Sequence, residues 1–365
     1  MSIQSTHRPG RPHPAFSRRA LLAGTAAGAV GLSLAACGRG KKSGSQADSK
    51  TVTVVTHDSF HVSEDLQKAF TSETGYTLKV ATSGDAGALV NKLVLTKDAP
   101  LGDAVFGIDN TYATRALDQG VIDTSATVTL PKGAESYVVA DTPALAPIDV
   151  GDVCLNIDTG YFTGKGLTPP ATFEDLTKPE YKGLLVAINP TNSSPGMAWL
   201  LATIGHFGAG SFAGYWKQLM ANGARIAEDW SAAYETDFSG SGKGTYPIVV
   251  SYASSPSFTV SKDKSSSSTS ALLDTAFRQV EYAGVLKGAA NPEGGKAFVT
   301  WMLSKAVQED IPGQMYMYPV LPDAALPEAL TKFGPLSKSP VKVDPKEITT
   351  HREEWLNTWT EAVGK

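Results

Sequence analysis

The stretch from residue 51 to residue 120 restricts this chain most, because it alternates between two periodicities. Thr51–Thr56, TVTVVT, is β-branched throughout and reads as a buried strand. Ser63 stands where an N-cap belongs, before a helix with Leu66, Ala69 and Phe70 on one face, and Gly75 stops it. Residues 76–82 read as a second strand. A tight turn at 83–87, SGDAG, leads into a helix over 88–95. Residues 103–108, DAVFGI, read as a third strand ending at Asp109-Asn110, and a helix around 112–119 closes at Gly120. This order of strands and helices implies a parallel sheet with helices on its faces.

The chain then repeats the theme. An apolar run from Leu145 through Asp149 and Val150 to Cys154 reads as a passage into a second unit. A helix begins in residues 172–176, a strand covers 184–188, and the small-residue loop 189–196 enters a helix over 197–207. A further helix covers 212–221. Residues 228–258 hold Asp229-Trp230-Ser231, a short helical piece, a glycine-rich break and a buried strand over 246–252. That strand ends in Ala253-Ser254-Ser255-Pro256. The chain returns near 255–260, passes a serine-rich surface loop at 262–270, and forms a strand over 281–286 and a helix over 294–303. Trp355, Trp359 and Val363 have helical spacing in a tail helix over 347–363.

The expected architecture is α/β and two-lobed, each lobe a mixed sheet flanked by helices, with a hinged cleft between them. Residues 51–149 and 256–320 form lobe 1, residues 150–255 lobe 2, and 321–365 a C-terminal helical tail. A ligand in such a fold sits at strand ends and helix N-termini, and the lobes close on it.

Residues 1–36 read as a signal peptide. Ser17-Arg18-Arg19 precedes an apolar run, and small residues precede Cys37, which is the layout of a twin-arginine-like export signal with a lipobox. Lipid would attach to Cys37. Residues 37–50 are a flexible Gly/Ser-rich tether, leaving the protein on the outer face of the cell membrane. No later run reaches the ~18 apolar residues of a membrane helix. Losing four leader arginines and no acid takes the net charge from −4 to −8. A body of that sign argues against nucleic acid and suits a cationic solute. Cys154 is then the sole cysteine, so no intrachain disulfide forms, and it reads as a buried small hydrophobe. A monomer is expected.

Several residues are candidates for binding. Trp230, Tyr234, Tyr252, Tyr316 and Tyr318 could form an aromatic cage, since a ring face attracts a cation by about 0.5–2 kcal/mol. Core packing is the commoner fate of such residues, but Trp230 and Tyr252 border loops. Asp58, Asp85, Asp109 and Asp149 end apolar runs or turns and would make a cleft attractive to positive charge, though Asp85 is also placed to cap a helix. The hydroxyls of Ser193 and Ser194, with free amides at a helix start, could hold an anion or a hydroxyl group. His57 and His61 are four residues apart, but His57 ends a strand, which disfavours a shared metal. Residues 240–245, GSGKGT, lack the Lys-Ser/Thr pair of a phosphate loop and read as a surface turn. No nucleophile elbow is present.

These residues also carry a resemblance. His57-Asp58-Ser59-Phe60, Gly107-Ile108-Asp109-Asn110, Ser193-Ser194-Pro195-Gly196, residues 230–234 (WSAAY), residues 251–256 (SYASSP) and Met317-Tyr318-Pro319-Val320 occur in that order. As a set, spanning nearly all of the chain after Thr51, they resemble the thiamine-binding substrate proteins of bacterial ABC importers, within the iron(III)/spermidine/putrescine-type group. The resemblance implies that Asp85 faces the thiamine cation and that Trp230 and Tyr252 sandwich its rings. It further implies that Ser193 lies near the hydroxyethyl or phosphate end. Tyr316 stands where the family has tryptophan, and His57 where it has tyrosine. A family tryptophan has no counterpart between Phe60 and Leu66. The ligand-binding set is thus Asp58, His57, Asp85, Asp109, Ser193, Trp230, Tyr252 and Tyr316, with thiamine or its phosphates as ligand, no cofactor, no metal, and an ABC permease as partner. The alternatives are an iron(III) or polyamine binder of the same fold, or a tethered extracellular hydrolase.

Overall fold

The computed structural model describes residues 50–364. The export signal, Cys37 and the tether as far as residue 49 lie outside the described residues. In chain order the elements begin β1 (Thr51–Thr56), α1 (Glu64–Thr74), β2 (Thr77–Thr82), α2 (Ala86–Leu95), β3 (Ala104–Asp109) and α3 (Ala113–Asp118). β1 pairs in parallel with β2 on one side and β3 on the other, as the alternation requires. Gly75 closes α1 at φ 75°, a left-handed conformation open to a residue without a Cβ. Ser63 occupies the N-cap position, but its side chain makes no capping bond. Its backbone N–H instead donates to Asp310 Oδ2 at 2.9 Å.

The middle of the chain forms β4 (Ala146–Asp158), α4 (Thr159–Lys165), β5 (Leu185–Ile188), α5 (Ser194–Phe207), α6 (Phe212–Ala221), β6 (Arg225–Ala227) and β7 (Ile248–Tyr252). The helix expected in residues 172–176 is only a 3-10 turn, Glu174–Thr177. The Asp175 carboxylate accepts from the N–H groups of Ala171 (2.8 Å) and Thr172 (3.1 Å), a local turn that competes with helix. Pro179 then stops any extension. The remaining elements are β8 (Thr269–Val285), α7 (Pro292–Met302), α8 (Lys305–Met315), β9 (Tyr318–Pro319), α9 (Glu328–Phe333) and α10 (Pro345–Val363).

The strands share one sheet in the order β2-β1-β3-β8-β4-β7-β5-β6, with β9 added to β4. Each end of this path is parallel, and the centre is antiparallel. β4 and β8 are the long strands, 13 and 17 residues, and they run together from Ala146 opposite Ala283 to Asp158 opposite Thr269. They tie the half that carries β1–β3 to the half that carries β5–β7. The expectation of a strand over only 281–286 is therefore corrected: β8 starts at Thr269, where the serine-rich loop was expected to continue. Polar residues hide its first part in the sequence, and the fold satisfies them. Arg278 forks onto the buried Asp152 carboxylate and donates to the Ser337 carbonyl at 3.0 Å.

α10 buries Trp355, Trp359 and Val363, the spacing noted above. Trp359 meets Trp216 of α6 edge-on at 5.6 Å, and Arg352 lies over the Tyr112 ring at 4.2 Å. Cys154 is fully buried on β4, and burial holds its thiol well above its ordinary pKa. Among the described residues, no helix is long and apolar enough to cross a membrane.

Candidate functional site

A cavity of about 300 Å³ opens where strands from both halves of the sheet end, at the small end of the range for ligand pockets. β1 delivers His57 and Asp58 to it, and β7 delivers Tyr252. Asp85, at the start of α2, and Ser194 and Pro195, at the start of α5, line it side by side. The Ser194 N–H points at Asp85 Oδ1 from 3.4 Å, so the two helix N-termini share one carboxylate. Trp230, Tyr252 and Asp85 thus border a single crevice.

The aromatic wall is held in place by its neighbours. The Trp230 indole N–H donates to Ser251 Oγ at 3.0 Å, and Ser251 meets Ser255 at 2.9 Å, which ties the indole to the end of β7. Tyr234 stacks on the ring of Trp230 with centroids 5.0 Å apart and planes 12° apart. Tyr316 lies 6.2 Å from Trp230 and has Phe258 against its own ring, with centroids 3.5 Å apart. Its φ of 64° is left-handed, a strained conformation for tyrosine, and the residue lines the cavity. Trp230, Tyr252 and Tyr316 are each half-buried, leaving ring surface free to meet a ligand.

Asp85 does two things at once. Its Oδ1 caps α2 by accepting from the Ala86 N–H at 2.7 Å, as the capping alternative foresaw. It also lines the cleft. Burial raises its carboxyl above the usual range, against hydrogen bonds and His57 that pull it back. Asp58 is exposed at the rim and accepts from the Gly84 N–H at 3.0 Å.

His57 is buried, and its ring requires Gly107. A Cβ at Gly107 would lie 2.0 Å from His57 Cδ2, and Gly107 sits at φ 97° in a bulge of β3. His57 Nδ1 accepts from the Ser59 N–H at 3.1 Å, so the neutral ring carries its proton on Nε2. Nε2 faces Glu281 Oε1 at 3.5 Å. Burial pulls the His57 pKa down, but Glu281, then Asp85 and Asp58, outweigh it, and the net shift is upward.

Glu281 is the lining residue that the sequence reading passed over. A lone acid between Val280 and Tyr282 in an apolar strand was the available signal. Gln279 Nε2 donates to Glu281 Oε1 at 3.1 Å, and Gln279 Oε1 is 3.4 Å from the Tyr252 hydroxyl. Glu281 is thereby linked to the aromatic wall. Met317 and Ser231, both inside the quoted motifs, also line it, together with Gln314, Met315 and Glu235, which no motif singled out.

Other expected site residues lie elsewhere. Asp109 is fully buried and does not line the cleft; it sits on β3 opposite Glu281, and of the pair only Glu281 reaches the cavity. Ser193 is also fully buried; its hydroxyl lies beside Asp85 but outside hydrogen-bond geometry, and Ser194 and Pro195 take its place at the surface. The Tyr318 hydroxyl points away and donates to the Gly334 carbonyl at 2.7 Å. His57 and His61 both border the cleft, yet no group of three metal-ligating side chains occurs among the described residues. The lining contains four acids, Asp58, Asp85, Glu235 and Glu281, and no lysine or arginine. Half-buried ring faces over acids suit a flat cation.

Comparisons with known proteins agree with this geometry. Residues 103–334 match the bacterial extracellular solute-binding protein family. The thiamine-binding periplasmic protein of Salmonella typhimurium is 27% identical over 86% of this chain and 94% of its own length. A solved periplasmic thiamin binding protein superposes with a TM-score of 0.75 at 25% identity, covering 86% of this chain and 96% of that one. Iron-bound HitA from Pseudomonas aeruginosa shares the fold, with a TM-score of 0.66 at 20% identity over 86% of this chain and 99% of that one. A cleft between two lobes of the type II periplasmic-binding-protein fold and a family match over more than half the sequence give one conclusion. This chain belongs to the bacterial extracellular solute-binding protein family, whose members capture a solute rather than transform it.

Proposed function

We propose that this protein captures thiamine outside the cytoplasm and delivers it to an ABC permease while anchored to the membrane by lipid on Cys37. The observation that carries the reading is the meeting of Trp230, Tyr252 and Tyr316 with Asp85 and Glu281 in one cavity whose lining has no lysine or arginine. Thiamine has a permanently positive thiazolium and a flat aminopyrimidine. Ring faces attract the first and stack on the second, and carboxylates add charge. The similar proteins of Salmonella typhimurium and of the solved structure bind thiamine, which supports the same ligand. The anchor rests on the arrangement of small residues before Cys37.

The ferric reading finds less support. Tyr318 is turned away, and burial raises the phenols of Tyr252 and Tyr316 and so opposes tyrosinate ligands. Calorimetric titration with thiamine, its mono- and diphosphate, a polyamine and ferric citrate separates these readings. Saturable one-to-one heat with thiamine is expected. Heat from ferric citrate or the polyamine alone would replace thiamine as the ligand.

A further inference from the structure

Behind the cleft, three strands set an acid at the same level. Glu281 of β8 lies opposite Asp109 of β3 on one side and opposite Asp149 of β4 on the other. Residues directly opposite in adjacent strands point to the same face of the sheet. The three carboxyls therefore form a row under the cleft, and only Glu281 reaches its surface. Asp109 and Asp149 are fully buried. Asp109 Oδ1 accepts from the Thr111 N–H at 2.6 Å, while its Oδ2 and both Asp149 oxygens have no hydrogen-bond partner.

Adjacent buried carboxyls cannot all be ionised, so such a row holds protons. Burial, then the charge of Glu281, holds Asp149 well above the usual carboxylate range, and burial pushes Asp109 up to about 7. Around Glu281 stand His57, just past the end of β1, and Tyr252 of β7, with Asp58 and Asp85 lining the same cavity. Arg352 of α10 acts on Asp109 from behind. His57, whose pKa burial lowers but Glu281 raises, meets the row from the cleft side, while the Ser59 N–H on its Nδ1 opposes a second ring proton; Asp109 and Asp149 lie beneath.

We propose that Glu281 reads the positive charge of the ligand, and that the row Asp109–Glu281–Asp149 gives up a proton to solvent when the cation settles against it. The inference rests on the thiamine reading and adds a residue and an exchange to it. A cation beside Glu281 offsets the field that keeps its neighbours protonated, so binding and deprotonation favour each other. Affinity then rises with pH through neutrality.

The test is titration with thiamine at pH 7 in two buffers of different ionisation enthalpy, on the wild type, Glu281→Gln and Asp149→Asn. We expect the wild-type heat to depend on the buffer with the sign of proton release. We expect Glu281→Gln to bind at least about tenfold more weakly, as for one lost charge contact. Asp149→Asn should bind while releasing fewer protons, which keeps the test open if Glu281→Gln fails to fold. Buffer-independent heat in the wild type, wild-type affinity in Glu281→Gln, or undiminished release in Asp149→Asn would each overturn the exchange and leave thiamine as the ligand. An absence of thiamine binding in the wild type would overturn both.

Discussion

Trp230 is held on two sides, by Tyr234 stacked behind it and by Ser251 on its indole nitrogen, so its free surface belongs to the cleft. Trp230→Ala should weaken thiamine binding at least about tenfold, close to one good cation–π contact. Wild-type affinity in that variant, measured by calorimetry, would remove the ring from the site. Asp109 offers a prediction about the free protein. Its folded pKa is raised from 3.8 to about 7, so its contribution to stability is complete below the unfolded value and is lost as pH rises toward 7. Asp109→Asn avoids that loss and should stabilise the protein by roughly 2–4 kcal/mol at pH 8 and scarcely at pH 4. Denaturant unfolding at the two pH values checks this, and an equal gain at both would refute the burial of a charge there. Trp230, Tyr252 and Asp85 were legible because loops and turns mark cleft residues. Asp109 and Ser193 were not, because a strand-end acid and a loop serine look alike in sequence whether they face a ligand or the floor beneath it. Glu281 was missed because it lies inside a strand, where one acid amid apolar residues carries no spacing signal.

The parallel β1–β3 block was readable from its β-branched runs and from Gly75 and Gly120. β8 was not, since its pairing with β4 is long-range and its first half mixes polar and apolar residues without alternation. The register of those two strands places Glu281 beside Asp149, so an element that the sequence half conceals sets the charge of the cleft. The start of α2 matters in the same way. Gly87 packs so closely that a Cβ would lie 2.7 Å from the Tyr112 hydroxyl and 2.8 Å from the Asn192 carbonyl oxygen. The Tyr112 hydroxyl in turn donates to the Pro190 carbonyl at 3.2 Å. Gly87→Ala should push α2 off the loop before α5 and loosen the Asp85–Ser194 approach. We expect thiamine affinity to fall at least about fivefold, the lower end of an overpacking cost of about 1–3 kcal/mol. Unchanged affinity would mean that the bound state does not need these helix starts to meet.

For the molecule as a whole, the long strands β4 and β8 join the two sheet halves, and the ligand-sized cavity lies where both halves end. A leader that exports the chain and a lipid on Cys37 would place that cavity outside the cytoplasm beside a permease. Cys37→Ser in the full-length precursor should shift the protein from the membrane fraction to the soluble extracytoplasmic fraction without changing its affinity for thiamine. Retention in the membrane fraction would require another anchor. The most direct measurement is a crystal structure grown with thiamine. We expect the thiazolium within roughly 6 Å of the Trp230 or Tyr252 ring centroid, the reach of a cation–π contact, with Asp85 and Glu281 on its charged side. Thiamine bound away from those rings, or a cleft left empty at saturating thiamine, would contradict a ring-and-carboxylate site for a flat cation.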